Sequence, residues 1–174
     1  MIDLRAHIRE IPDFPKPGIL FRDLLPLLAD PAVHAEVIAR LVDFAAPLRP
    51  DVIVGAEARG FLFGPTLARE LGCGFAPVRK PGKLPSAAWT ESYALEYGEN
   101  ALELAHDAIA PGMRALIHDD LLATGGTAAA SIALVRKAEA APIGACFVAE
   151  LRGLDGRARL GELPIASLVE YEGT

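Results

Sequence analysis

The residues able to do chemistry in this chain gather in ALIHDDLLATGGTAAA, Ala115 to Ala130. Two adjacent carboxylates, Asp119 and Asp120, close a short apolar run, and Thr124, Gly125, Gly126 and Thr127 follow, ahead of a run of alanines. The pattern reads as strand, turn, helix. The first turn of a helix has unpaired N–H donors and a partial positive charge, so the N–H groups of Ala123 to Thr127 suit a phosphate. Gly125 and Gly126 let the backbone bend and come close to a ligand, and Thr124 and Thr127 add hydroxyl donors. The turn is neither a Walker loop nor a G-x-G-x-x-G fingerprint, and a plain glycine turn with a threonine cap would account for Gly-Gly-Thr by itself. The aspartates add information. They would repel a bare phosphate, but they suit a ligand that joins a phosphate to a diol or to a developing positive charge. A ribose 5-phosphate offers both: its hydroxyls meet the carboxylates, and loss of a leaving group at C1 gives an oxocarbenium-like cation that carboxylates stabilise.

Basic residues cluster in two further places. Arg59 follows an apolar run in GAEARG, and Arg79, Lys80 and Lys83 crowd RKPGK. An arginine fork matches phosphate oxygens in a bidentate way, whereas lysine acts as a point charge. Any one of them alone reads as a solvated surface charge; four in two short segments of a net acidic chain read as an anion site.

These groups need a scaffold, and hydrophobic periodicity supplies one. DPAVHAEVIARLVDFAAPL opens with Asp30 as N-cap and Pro31 at the first helical position, then repeats apolar residues at helical spacing. DVIVG, GFAPV, RALIHDD, IGACFVAEL and IASLVEY read as strands, and SYALEYG alternates in a β-like way. GFLFGPTLARELGCG reads as a helix stopped at Gly72, and TGGTAAASIALVRKAEA as another. Strands alternating with helices predict an α/β fold, a mainly parallel sheet with helices on both faces, whose ligands bind beyond the carboxyl ends of the strands. LPSAAWTES, with few strand or helix signals, reads as a long connection, either a lid or a passive loop.

At 174 residues without repeats or linkers, one domain spanning 1–174 is expected. A net charge of −6 argues against a nucleic-acid or membrane partner. No apolar run approaches a membrane span or a signal peptide, which predicts a cytoplasmic protein. Cys73 and Cys146 show no metal or redox spacing and read as reduced core thiols.

LIHDDLLATGGTAAA resembles the phosphoribosyl-pyrophosphate signature of the type I phosphoribosyltransferases. IPDFPKPGILFRDLLPLL, GAEARGFLFGPTLA, RKPGKLP…SYALEYG and ELRGLDGRARL resemble, in order and spacing, the adenine phosphoribosyltransferases, and the likeness runs from about Ile8 to Tyr171. The resemblance implies a mainly parallel twisted sheet flanked by helices, with a small N-terminal hood and a flexible β-hairpin-like lid. It implies conversion of adenine and 5-phosphoribosyl 1-pyrophosphate to AMP and pyrophosphate in purine salvage. Mg²⁺ would be bound mostly through the substrate's pyrophosphate, with no dedicated metal residues. Ala123, Thr124, Gly125, Gly126 and Thr127 would hold the 5-phosphate, and Asp119 and Asp120 the ribose hydroxyls. Arg59, Arg79, Lys80 and Lys83 would face the pyrophosphate, part of that cluster coming from the second subunit of a homodimer. Leu20, Phe21 and Arg22 would form the base slot. Glu96 and Tyr97 match residues linked to catalysis, Glu96 as general acid/base at the base's imidazole ring; without the resemblance Glu96 is an outward strand residue, Phe21 a core residue and Arg22 a partner of Asp23. Ser86 departs from the glycine that often follows Leu-Pro in the lid, and His118 from the β-branched residue usual before the aspartates; His118 reads as a strand residue with a local partner. A transferase for another purine, and a non-catalytic phosphoribosyl-pyrophosphate sensor, are the competing readings; absence of room for an added domain and presence of Lys80, Lys83, Glu96 and Tyr97 favour the enzyme.

Overall fold

The computed structural model describes residues 1–94 and 99–173. Five strands form its central sheet: β3 (Val52–Ala56), β4 (Gly74–Val78), β7 (Arg114–Leu122), β8 (Ala141–Leu151) and β9 (Ile165–Tyr171). Their spatial order is β4-β3-β7-β8-β9, and every neighbouring pair is parallel. β3 is buried at each of its residues, as a strand covered on both faces must be. Successive side chains point to opposite faces of a strand, and the core divides accordingly. Val52, Val54, Ala115, Ile117 and Phe147 pack with Ile132, Leu134 and Val135 of α4 (Gly126–Lys137). Ile53, Leu116, Cys146 and Val148 pack with Val33, Val37 and Leu41 of α2 (Pro31–Ala45) and Leu67 of α3 (Gly64–Leu71). This is the α/β fold with helices on both faces that the alternating pattern predicts.

Asp30 caps α2 as expected, its carboxylate accepting from the N–H groups of Ala32 at 2.8 Å and Val33 at 3.2 Å, and Gly72, at φ 68°, ends α3. The helix expected across GFLFGPTLARELGCG is shorter than its apolar pattern. Arg59–Phe61 forms a separate 3₁₀ turn, and α3 begins at Gly64 with a proline in its first turn. Pro65 lacks the N–H that an upstream helical turn would bond, so it starts a helix and does not continue one.

Two small antiparallel sheets complete the chain. β1 (Arg9–Pro12) pairs with β2 (Leu20–Asp23) as an N-terminal hood, followed by the short helix α1 (Pro26–Ala29). β5 (Ala88–Ala94) pairs with β6 (Glu99–Ala105). The expected loop LPSAAWTES is therefore only partly a loop, because Ala88–Ser92 lies within β5. Trp89 and Tyr93, on one face of that strand, pack against the α4 side of the core, and this tertiary burial overrides weak local propensity. Glu96 and Tyr97 lie outside the described residues. Among the described residues no helix is long and apolar enough to cross a membrane.

Candidate active site

β7 carries the carboxylates to the carboxyl edge of the sheet, and the chain turns at once into α4. Gly125 sits at φ 78° as the residue before the helix and, being glycine, supplies no capping side chain to its first N–H groups. The N–H groups of the first turn are thus left for a ligand. Ala123, Thr124, Gly125, Gly126 and Thr127 line a cavity of ≈ 120 Å³ together with Asp119, Arg59 and Phe147.

The cradle is held from behind. A methyl on Gly125 would collide with the carbonyl of Gly156, and one on Gly156 would collide with the carbonyl oxygen of Ala123 and lie 3.1 Å from the Gly125 nitrogen. The 3₁₀ segment Gly156–Leu160 is fixed in turn by Arg157, whose Nη2 donates to Glu150 at 2.7 Å and whose Nε donates to the same carboxylate at 2.8 Å. Ser167 adds its hydroxyl to that carboxylate at 2.6 Å. Burial works to raise the Glu150 carboxyl, but Arg157 and Ser167 outweigh it and hold it below the usual range. Gly156, Glu150 and Arg157 were not singled out from the sequence. ELRGLDGRARL carries no local signal that its second glycine touches a turn some thirty residues upstream.

The two aspartates separate. Asp119 lines the cradle cavity. Asp120, 1% exposed, points to the other face of β7 and lines a second space with Phe21, Leu24, Ala58, Arg59 and Leu62. Its Oδ2 is 3.4 Å from Arg59 Nε, and its Oδ1 has no protein partner among the described residues. The Asp120 N–H donates to Asp119 Oδ1 at 2.9 Å. Burial first, then the adjacent Asp120 charge, raises the Asp119 carboxyl above the usual carboxylate range; burial raises Asp120 as well, with Arg59 opposing. A ligand bringing positive charge to this cavity would therefore meet groups that gain from it.

Leu20, Phe21 and Arg22 line a larger chamber of ≈ 450 Å³ with Gly18, Leu151 and Leu154. Its wall shares Arg59, Leu121 and Thr124 with the cradle cavity. Arg22 does not pair with Asp23: its guanidinium lies 4.2 Å from the centre of the Tyr171 ring and 3.0 Å from Glu10, while Asp23 meets Arg9 at 3.6 Å. The hood is thereby pinned to the edge strand β9, with Arg5 also over the Tyr171 ring at 4.4 Å.

The other cations do not line these chambers. Arg79 Nε donates to Glu57 at 2.9 Å, and the Lys80 N–H donates to the same carboxylate. The Arg79 bond, then the Lys80 N–H, holds Glu57 below the usual range. Arg79, Lys80 and Lys83 are absent from the described walls of both the cradle cavity and the hood chamber.

His118 is 0% exposed. Its Nδ1 lies 3.1 Å from the Cys146 carbonyl oxygen; a carbonyl only accepts, so Nδ1 carries the proton. Burial lowers its pKa from 6.5 to about 4, and the neutral ring packs edge-on to Phe63 at 6.5 Å. His118 is thus a core residue with a local partner. Cys146 is a buried free thiol, whereas Cys73 is only half-buried.

This chain, a parallel sheet with a strand–turn–helix at its carboxyl edge, matches the family model for the phosphoribosyl transferase domain over residues 28–162, which places it in the phosphoribosyltransferase class. The adenine phosphoribosyltransferase of a Synechococcus strain is 54% identical over 98% of this chain and 100% of its own length, and that of Gloeobacter violaceus is 53% identical over the same shares. The crystal structure of adenine phosphoribosyltransferase from Thermoanaerobacter pseudethanolicus superposes with a TM-score of 0.94 at 47% identity, covering 97% of this chain and 98% of that one. The Saccharomyces cerevisiae enzyme, solved with an imino-altritol bisphosphate and adenine, gives 0.89 at 43% identity, covering 95% and 96%. The chain belongs to the adenine phosphoribosyltransferase family.

Proposed function

We propose that the protein, acting as one domain over 1–174, transfers a 5-phosphoribosyl group from its 1-pyrophosphate to adenine, giving AMP and pyrophosphate in purine salvage. The observation that carries this reading is the pair of chambers sharing Arg59, Leu121 and Thr124. One is built for a phosphate, the other is large enough for a flat base, and a carboxylate stands in the first. The N–H groups of Ala123 to Thr127 take the 5-phosphate, with Thr124 and Thr127 donating hydroxyls. Asp119 accepts from the ribose hydroxyls and faces the positive charge that develops as the C1–pyrophosphate bond lengthens. Asp120 holds Arg59, so its part is to orient that guanidinium beside the leaving group. Leu20 and Phe21 supply an apolar slot for the base, and the Arg22–Tyr171 stack keeps the slot in place.

Glu96 and Tyr97 enter through the family resemblance, as residues that move a proton at the base. Arg79, Lys80 and Lys83, which line neither described chamber, suit a homodimer in which each subunit lends cations to the other's pyrophosphate. Magnesium fits the donor set. Asp119 offers one hard oxygen donor beside the cradle, which suits an ion that takes most of its ligands from a pyrophosphate. Bound there, Mg²⁺ would neutralise the departing charge. A cytosolic location follows from the substrates.

The test is turnover of phosphoribosyl pyrophosphate and Mg²⁺ with a panel of bases. AMP should form far faster than IMP, GMP or UMP. Faster use of hypoxanthine or guanine would replace adenine with another purine, and binding without turnover of any base would favour a sensor.

A further inference from the structure

The hairpin β5–β6 meets the phosphate cradle directly. Tyr93 of β5 places its hydroxyl 3.3 Å from Thr127 Oγ1. Its ring covers Gly126 so closely that a methyl there would lie 2.9 Å from Tyr93 Cδ2. The strand is fastened to the same helix further along: Lys137 at the end of α4 bonds Glu91 at 2.7 Å and the Thr90 carbonyl at 2.5 Å. β5 therefore runs along α4 and delivers Tyr93 to its first turn.

We propose that Tyr93 is a positioning residue for the 5-phosphate, acting through Thr127; this rests on the phosphate reading of the cradle given above. A threonine hydroxyl has one proton and two acceptor sites, and a phosphate oxygen only accepts. When Tyr93 donates to Thr127 Oγ1, the Thr127 proton is left to point into the cavity. Without that donor, the Thr127 rotor has no reason to choose the phosphate. Ser131 does not supply the constraint, because its hydroxyl donates to the Thr127 carbonyl at 2.9 Å and leaves the side chain alone. The Tyr93 ring, seated on Gly126, also keeps water off one side of the helix start, where a hydrogen bond to a charged ligand is strengthened by a lower dielectric.

The experiment measures ribose 5-phosphate binding by calorimetry, so it needs no turnover and is independent of which base the protein uses. Tyr93→Phe keeps the ring and removes the hydroxyl. Its affinity for ribose 5-phosphate should fall about 2- to 10-fold, the worth of one net hydrogen bond, with the thermal midpoint unchanged. Tyr93→Leu, which also uncovers Gly126, should lose more. In a Thr127→Val background, Tyr93→Phe should cost nothing further, because the group it positions is gone. Equal losses from Tyr93→Phe in both backgrounds, or wild-type affinity in Tyr93→Phe, would overturn the proposal. If no base yields AMP while these binding differences hold, the proposed reaction falls and the role of Tyr93 stands.

Discussion

Replacing His118 with valine tests whether a proton is being excluded from the core. The histidine pKa falls from 6.5 to about 4 on folding, through burial. The folded pKa lies below the unfolded one, so the unfolded chain takes up the proton first as pH drops. Stability from this group is complete above 6.5 and is lost as pH falls through the window down to about 4. Linkage over that window gives a loss of about 1.4 kcal/mol between pH 7.5 and 5.5, rising to about 2.5 kcal/mol by pH 4.5. His118→Val removes the titration. It also leaves a void beside Phe63 and removes the hydrogen bond to the Cys146 carbonyl, so at pH 7.5 the variant should be less stable by about 1–3 kcal/mol. The gap should then shift by about 2.5 kcal/mol in the variant's favour on acidification to pH 4.5, closing or reversing. Asp119 and Asp120 titrate in the opposite sense, since their folded pKa values are raised; they do so in both proteins and cancel in the difference. Urea unfolding of the pair at matched concentration and ionic strength, at pH 7.5, 5.5 and 4.5, provides the numbers. A stability difference that stays constant across the three pH values would refute the reasoning, and would mean that His118 is protonated where it sits or is solvated in the fold.

The separation of the two carboxylates makes a second prediction: Asp119→Asn should lower kcat/KM by about 10²–10³, the usual loss for one preorganised electrostatic group, with little change in thermal midpoint, whereas Asp120→Asn should act mainly by freeing Arg59 and so weaken pyrophosphate binding more than ribose 5-phosphate binding. Equal defects for both ligands in Asp120→Asn would remove Arg59 from the leaving-group side. Gly156→Ala should destabilise the fold by about 1–3 kcal/mol through overpacking against rigid backbone and should weaken ribose 5-phosphate binding although residue 156 touches no ligand; unaltered binding would show that the cradle does not depend on this buttress.

What the sequence made legible, and what it hid, follows from the range of each interaction. The five central strands and α2 stand close to where their periodicity puts them, because burial on two faces and an Asp30–Pro31 start are local signals. Asp119 and the Thr124–Thr127 turn are contiguous in the chain, so their meeting in one cavity needed only a strand that stops and a helix that begins. The parity of that same strand also decides that Asp119 and Asp120 cannot share a face. Simple alternation along RALIHDD already contained that separation. The remaining features depend on contacts between distant segments. Gly156 against Ala123, Glu150 with Arg157 and Ser167, and Arg22 over Tyr171 each join residues whose local sequence is unremarkable. Trp89 shows the same thing in reverse: LPSAAWTES has few strand signals and reads as a connection, yet the apolar side of α4 that Trp89 covers makes it strand. The strand–turn–helix of Ala123–Thr127 can thus be read from one short stretch, whereas Gly156 and Tyr93, which close on it, sit on two segments that only the fold brings to it.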